Sequence, residues 1–360
     1  MVIDANVYWF PEALFTDEAL RERFFMDVPR GYNNGARMVE RAGRRQIIVE
    51  RPVGCPGVDY IEGDYTLEAM LSAMDAAGVE RAVMKVPCVH EWLSLDMCRL
   101  FNDGMADFAR RSGGRLTALA VVPPWGRSAQ LAELRRCHDE LGMRGAQLCA
   151  HYGELYLDDE AFAPLFEQLN TYGMNVYVHH TPVPVEYEKI QEYNNLRRSL
   201  GRCEDQLIAV GRELFSGMFE RYPNVKLVHS MLGGGFFAFS EMLMPHGPQT
   251  PDPSGRFTAT PESMRRHLQN NIFFEMSHAQ PWGRTLLETA VKILGADHIV
   301  YGSSSPVKAQ WQQEGPAFVR ALDLTGEERS CCCAATRCGC IRWSKTKNRA
   351  GDSLRKCLPC

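Results

Sequence analysis

Short β-rich apolar runs alternate along this chain with longer stretches in which apolar residues return every three or four positions. That alternation is the mark of strands interleaved with amphipathic helices. Eight runs qualify as strands: Val2–Tyr8, Ala82–Val86, Leu116–Val122, Gly145–Cys149, Asn175–His180, Val225–His229, Ile272–Met276 and Ile299–Gly302. Between the first two, Leu67, Met70, Leu71 and Met74 repeat at helical spacing, with Asp64 placed to cap the start and Gly78 the end. Gly142 and Gly173 punctuate later helices just before the next strand. Eight such units, with no Gly-rich turn after the first strand, predict an α/β protein whose parallel sheet closes into a (β/α)8 TIM barrel, in preference to an open doubly wound sheet. Residues 11–63 break the rhythm, with Pro11, Pro29, Gly31, Gly35, Pro52, Gly54, Pro56 and Gly57 around one short strand candidate, Gln46–Val49. They form an insertion after strand one. Segments at the carboxyl ends of barrel strands stand over the active face, so a lid or substrate-selecting role and a plain surface excursion are both open.

Composition narrows the class. With 360 residues, 45% hydrophobic and 23% charged, the chain can bury a large core. No apolar run approaches the roughly 20 residues that span a bilayer, and no charged-then-apolar leader opens the sequence, which predicts a cytoplasmic protein without a membrane partner. The net charge of −4 is unevenly spread: residues 330–360 carry seven Lys/Arg and one Asp, leaving the body at −10. An acidic body has no electrostatic reason to hold nucleic acid.

Cysteine is as lopsided, with six of 13 scattered through residues 1–329 and seven crowded into 330–360. The six read as reduced core thiols. The run Cys331-Cys332-Cys333 lacks the spacing of a zinc knuckle. It matches instead what GC-rich codons for Glu-Leu-Leu-Leu-Arg-Gly-Asn-Ala give when read one base late, so the expected organisation is a barrel over 1–329 and an aberrant, frame-shifted tail over 330–360. A terminal helix that would pack on the barrel is then missing.

Reacting groups in a barrel stand at the carboxyl ends of the strands. The polar residues there are Asn6, Tyr8, Gln147, His179, His180, His229, Glu275 and Ser303 to Ser305. Histidines at equivalent ends of strands five and six, His179 and His229, point to a shared site, since either imidazole can serve as general acid or base near neutral pH.

The same residues carry a resemblance. Ile3-Asp4-Ala5-Asn6-Val7-Tyr8 resembles the I-D-x-H-x-H opening of amidohydrolases related to aminocarboxymuconate-semialdehyde and resorcylate decarboxylases. Val178-His179 resembles their strand-five metal histidine, Val228-His229 followed by Gly233-Gly234-Gly235 their strand-six H-x-G-G, and Gly302-Ser303-Ser304-Ser305-Pro306 their closing G-T/S-D-x-P. The likeness runs in order through residues 1–329. It implies a barrel enzyme that cleaves carbon–carbon bonds by decarboxylation, often as a homodimer. It also places Asn6 and Tyr8 where the family has two histidine ligands and Ser304 where it has an aspartate, leaving His179 alone of the set. Neutral amide and hydroxyl oxygens are poor substitutes for imidazole and carboxylate. The expectation is therefore a site without a cofactor, the alternative being one divalent metal, zinc or manganese, held by His179, His229 and Glu275.

Three functions stay open on these residues. The first is a carboxy-lyase for a small aromatic or unsaturated carboxylic acid, with His229 protonating the carbon and His179, His180 and Tyr8 binding the carboxylate, supported by Asn6, Gln147, Glu275 and Ser304. The second is a metal-independent hydrolase of a lactone, ester or vinylogous ketone, with His229 activating water. The third is a non-catalytic binding protein that keeps the pocket. Re-sequencing around codon 330 is expected to reveal a single missing base that restores the Glu-Leu-Leu-Leu frame, and a gene with no restorable frame would refute that reading.

Overall fold

Eight parallel strands form the barrel of the computed structural model: β1 (Ile3–Tyr8), β2 (Arg81–Lys85), β3 (Leu116–Ala118), β4 (Gly145–Cys149), β5 (Asn175–His179), β6 (Leu227–His229), β7 (Ile272–Glu275) and β8 (Ile299–Val300). The structure describes residues 1–334 except 30–33, 52, 56, 182, 194–195, 246–258 and 277–281. Each strand overlaps a run expected from the sequence, most ending one or more residues earlier, with β2 starting one residue sooner, at Arg81, and β3 and β8 the most shortened. The ladders run β1–β2–β3 and β4–β5–β6–β7–β8. Single bridges Ala120–Ala146 and Val7–Ser305 join the two ladders, and Ala5 N–H donates to the Tyr301 carbonyl at 2.9 Å. The sheet is closed.

Closure gives every strand an inner and an outer face, and alternation sorts the side chains between them. Ile3, Ala5, Tyr177, Val228, Phe273 and Val300 fill the barrel axis, with Leu119 against them. Met84, Leu148, Val178, Leu227 and Phe274 face outward into the main core beneath the helices. Both faces are apolar, which is why the strands read as continuous hydrophobic runs.

Turn chemistry fixes the helix ends. The helix Leu67–Ala77 is capped by Thr66, whose hydroxyl accepts from Ala69 N–H at 3.1 Å, and not by Asp64, which pairs with Arg44. Gly78 and Gly173 end their helices in the left-handed region, at φ 66° and 57°. A sharper case follows β6. Met231 to Gly235 all have positive φ, forming one left-handed turn that packs on the helix Arg202–Phe215. A Cβ on Gly234 would lie 1.7 Å from the Cys203 carbonyl oxygen.

The insertion holds more structure than its sequence suggested. After helices Ala13–Thr16 and Glu18–Asp27 come three antiparallel strands, Gly35–Arg41, Arg44–Glu50 and Val58–Ile61, where one short strand was expected. Charged residues on their solvent side hid the alternation. The sheet is pinned to the barrel by the ring of Tyr60, stacked on Phe10 at 4.2 Å, and by its hydroxyl, which donates to the Pro87 carbonyl at 2.8 Å. Since Pro87 follows β2, the insertion lies at the carboxyl ends of the strands.

At the other end of the chain, a helix runs Gly326–Ala334. It crosses the 329/330 boundary expected from the sequence. Cys332 and Cys333 are buried against the barrel, and the Cys332 carbonyl accepts from Tyr301 N–H at 3.0 Å. A terminal helix is therefore present, and the rest of the tail, 335–360, lies outside the described residues. No helix among the described residues is long and apolar enough to cross a membrane.

Gly142→Ala and Gly234→Ala separate backbone strain from steric exclusion, because Gly142 is also left-handed (φ 72°) but has open space where a Cβ would go. Urea denaturation should show Gly142→Ala losing about 1 kcal/mol and Gly234→Ala losing a further 2–3 kcal/mol or so. Equal losses would contradict the packing described for the left-handed turn.

Candidate active site

Six of the residues expected at the site do converge at the carboxyl mouth of the barrel. His179, last residue of β5, points inward. Its Nδ1–H donates to the His180 carbonyl at 2.8 Å, which leaves Nε2 with its lone pair toward the cavity. Two groups approach that nitrogen: the Tyr8 hydroxyl at 3.0 Å and Cys88 Sγ at 3.7 Å. Burial, with His180, Lys85 and His90 nearby, holds the His179 pKa well below the ordinary histidine value, so the ring is neutral at neutral pH. The His180 ring lies beside it, tilted by 31° with the centroids 4.1 Å apart, and its Nδ1 is 3.4 Å from Ser230 Oγ. Donor atoms of Cys88, His179 and His180 all lie within 4.8 Å of one another.

A second group sits deeper. The Asn6 amide reaches Ser304 Oγ at 3.0 Å, Tyr177 Oη at 3.1 Å and Glu275 Oε2 at 3.4 Å, and the Tyr177 hydroxyl donates to Glu275 at 2.8 Å. Gly302 makes this possible, because a Cβ there would lie 1.8 Å from Glu275 Oε1. Beside the network the Lys85 ammonium lies 3.5 Å from the centroid of the Tyr177 ring and 5.0 Å from that of Tyr8. Nζ is buried without a hydrogen-bond partner among the described residues, and burial pulls its pKa down to about 7 against the opposing pull of Glu275.

The rim is basic. Arg51 from the insertion and Arg197, Arg198 and Arg202 from the excursion after β5 line a cleft with Cys88, Gly57 and Val58. Its empty volume is about 340 Å³, part of it open to solvent. Arg51 is held in place by Glu91 at 2.6 Å and by the Trp92 ring, 3.8 Å beneath its guanidinium. Arg202 is half-buried with no partner for Nε among the described residues.

Two expected residues fall elsewhere. His229 is fully buried but on the outer face of β6, where its neighbour in register is the outward-facing Val178. Its ring meets the helix Arg202–Phe215, with Nδ1 2.8 Å from Gln206 Oε1 and Nε2 2.7 Å from Glu213 Oε2. The shared cavity expected for His179 and His229 is not formed, and the set His179, His229 and Glu275 cannot hold one ion. Inward at that level of β6 are Val228 and, past its end, Ser230, the partner of His180. Gln147 faces inward, yet its amide is spent on Val86 N–H (2.8 Å), the Val86 carbonyl (2.9 Å) and His90 Nδ1 (3.0 Å). It positions His90, whose Nε2 lies 3.0 Å from Cys149 Sγ.

Cys88, Lys85, His90 and the arginines were missed from sequence. A signal existed for two of them. Lys85 is a lone charge inside an apolar strand, and Cys88 follows that strand by three residues, so it belongs to the mouth and not with the core thiols. The arginines lie on excursions whose return path no local pattern gives.

Comparison with known proteins fits this architecture. The amidohydrolase family model matches residues 36–334. The chain belongs to the amidohydrolase family. Among curated relatives, 2-amino-3-carboxymuconate-6-semialdehyde decarboxylase of Dictyostelium discoideum is 30% identical over 154 residues, a match spanning 43% of this chain and 42% of that protein. Gamma-resorcylate decarboxylase of Rhizobium radiobacter is 24% identical over 281 residues, 69% of this chain and 82% of the relative. Among solved structures, 5-carboxyvanillate decarboxylase from Novosphingobium aromaticivorans, complexed with manganese and a nitrobenzoic acid, superposes with a TM-score of 0.69 at 18% identity, covering 92% of this chain and 93% of its own. The 5-carboxyvanillate decarboxylase of Sphingomonas paucimobilis gives 0.67 at 16% identity, covering 94% and 98%. These structures establish the fold of this amidohydrolase.

The manganese-bound neighbours overturn the expectation of a site without a cofactor. That expectation came from testing the ligand positions at Asn6, Tyr8 and Ser304, which in this structure are bonded to one another and to Tyr177, Glu275 and His179. It overlooked donors arriving from neighbouring positions. Cys88, His179 and His180 bring a thiol and two imidazoles together, and three such donors with an open fourth position suit a catalytic divalent ion.

His229→Ala tests the outward placement. Removing the imidazole strands the buried Glu213 carboxyl, whose pKa burial already raises and His229 lowers. The expected cost is about 3–5 kcal/mol in urea denaturation, partly recovered by adding Glu213→Gln. A His229→Ala protein as stable as wild type would show that the pair is not formed.

Proposed function

We propose that this amidohydrolase is a carboxy-lyase that removes carbon dioxide from a small aromatic carboxylic acid entering through the arginine-lined cleft. The observation that carries the reading is the placement of Arg51, Arg197, Arg198 and Arg202 around a cleft whose floor is Cys88, beside His179. Such a rim binds a carboxylate and any neighbouring anionic oxygen, since guanidinium matches both in charge and fork geometry. The relatives named above, by their names, are decarboxylases, which supports the same class.

Decarboxylation breaks the bond between the ring carbon and the carboxyl carbon, leaves an electron pair on the ring carbon and requires a proton there. Tyr8 Oη is placed to hold that proton at the mouth, because burial keeps its pKa well above the ordinary phenol value. Lys85, behind the Tyr8 and Tyr177 rings, adds positive charge where negative charge develops. A divalent ion, when bound, supplies Lewis-acid polarisation of a substrate oxygen. Cys88 lines the cleft that receives the acid, with His179 Nε2 3.7 Å from its sulfur and the His180 ring beside His179. The hydrolase reading relied on His229 to activate water, and that ring has no path to the cleft.

Carbon dioxide release from gamma-resorcylate, 5-carboxyvanillate and related hydroxybenzoates tests the proposal. At least one acid is expected to be turned over, and Arg202→Gln should raise KM about tenfold or more, in line with loss of one charged hydrogen bond, while changing kcat less. Turnover of lactones or esters with none of the acids would overturn it.

A further inference from the structure

We infer that this chain binds its divalent ion through a relocated ligand set, Cys88, His179 and His180, which favours zinc or cobalt over manganese. Only His179 of the three occupies a position where the sequence resemblance places a ligand. Cys88 arrives from the turn after β2 and His180 from the residue beyond β5. The inference rests on the proposed function for the purpose of the ion but not for its location.

Geometry supports the set. An ion with ligand distances of about 2.3 Å to sulfur and about 2.05 Å to nitrogen in tetrahedral geometry separates those two donors by about 3.6 Å. Cys88 Sγ and His179 Nε2 are 3.7 Å apart. All three donors lie within 4.8 Å of one another, so the remaining closure is no more than about 1.5 Å. The outer contacts are also those that metal-bound histidines use: His179 gives Nδ1–H to a backbone carbonyl, and His180 Nδ1 faces the Ser230 hydroxyl. The Ser230 oxygen in turn accepts from His180 N–H at 3.1 Å, which fixes the ring's place beside His179.

The family positions are poor competitors. The Asn6 side chain and Ser304 Oγ are tied to each other within the Glu275–Tyr177 network. The Tyr8 hydroxyl lies 3.0 Å from His179 Nε2 and acts there as a neighbour of a ligand. A thiolate with two imidazoles is a soft, nitrogen-rich set, whereas manganese is served best by carboxylate, carbonyl and water oxygens. Of the set, Cys88 lines the arginine-rimmed cleft.

The full-length protein, stripped with chelator and reloaded with zinc or cobalt alone, is the material for the test. Elemental analysis should find about one equivalent of zinc, and cobalt loading should produce the near-ultraviolet sulfur-to-metal charge-transfer band of a thiolate ligand. Cys88→Ser should abolish the band, and Cys88→Ser and His180→Ala should each weaken ion retention by at least about tenfold. Tyr8→Phe, Ser304→Ala and the control Cys55→Ser should retain both ion and band, and circular dichroism of each variant separates ligand loss from unfolding. If His180→Ala unfolds, His180→Gln replaces it. Zinc and cobalt that do not bind, bind without the charge-transfer band, or are lost with Tyr8→Phe and Ser304→Ala but not with Cys88→Ser would overturn the inference. An ion held through Cys88 in a protein that releases no carbon dioxide would sink the functional proposal and leave this one standing.

Discussion

In a closed parallel barrel each residue near a strand's end faces either the axis or the surrounding helices, and its neighbour in sequence faces the other way. The chemistry of this protein depends on that alternation. Tyr177 and His179 face inward on β5. On β6 the inward residue is Val228, so His229 faces outward. Two histidines that look equivalent as strand-ending residues therefore differ completely in surroundings: one borders a cavity with a thiol and a second imidazole, the other is held by Glu213 and Gln206 against a helix.

Around that constraint the site divides into two zones. The deeper one is a hydrogen-bonded network of Asn6, Ser304, Tyr177 and Glu275, built where the resemblance would place metal ligands, and it is closely packed enough that Gly302 has no room for a side chain. The shallower zone gathers Cys88, His179 and His180 beneath an arginine rim. Neutral side chains in the deeper zone and a thiol with two imidazoles in the shallower one lie at the same mouth of the barrel but differ in the hardness of what they could hold. The insertion takes part directly, because Tyr60 seats it on Pro87 and so brings Arg51 and Gly57 beside Cys88.

The barrel was legible in the sequence because each strand is apolar on both faces and each helix carries a helical stripe, signals that are local and repeated. The insertion's three strands were less legible, since their polar faces meet solvent and only Gln46–Val49 stood out. The site was half legible. His179, His180, Tyr8, Asn6, Glu275 and Ser304 lie at strand ends, where position alone marks them. Gln147 does too, but its amide is taken up by Val86 and His90. His229 was misread because the exact register within a strand, which a shift of one residue inverts, is invisible without its neighbours. The arginine rim and Cys88 were missed because tertiary return of long excursions brings them in, and no short-range pattern encodes that return.

The coordination shell of the bound ion bears most directly on the claim that the site is centred on Cys88, His179 and His180. X-ray absorption at the zinc edge of the loaded protein should resolve one sulfur at about 2.3 Å together with imidazole nitrogens at about 2.0–2.1 Å. A shell of nitrogen and oxygen alone would contradict it.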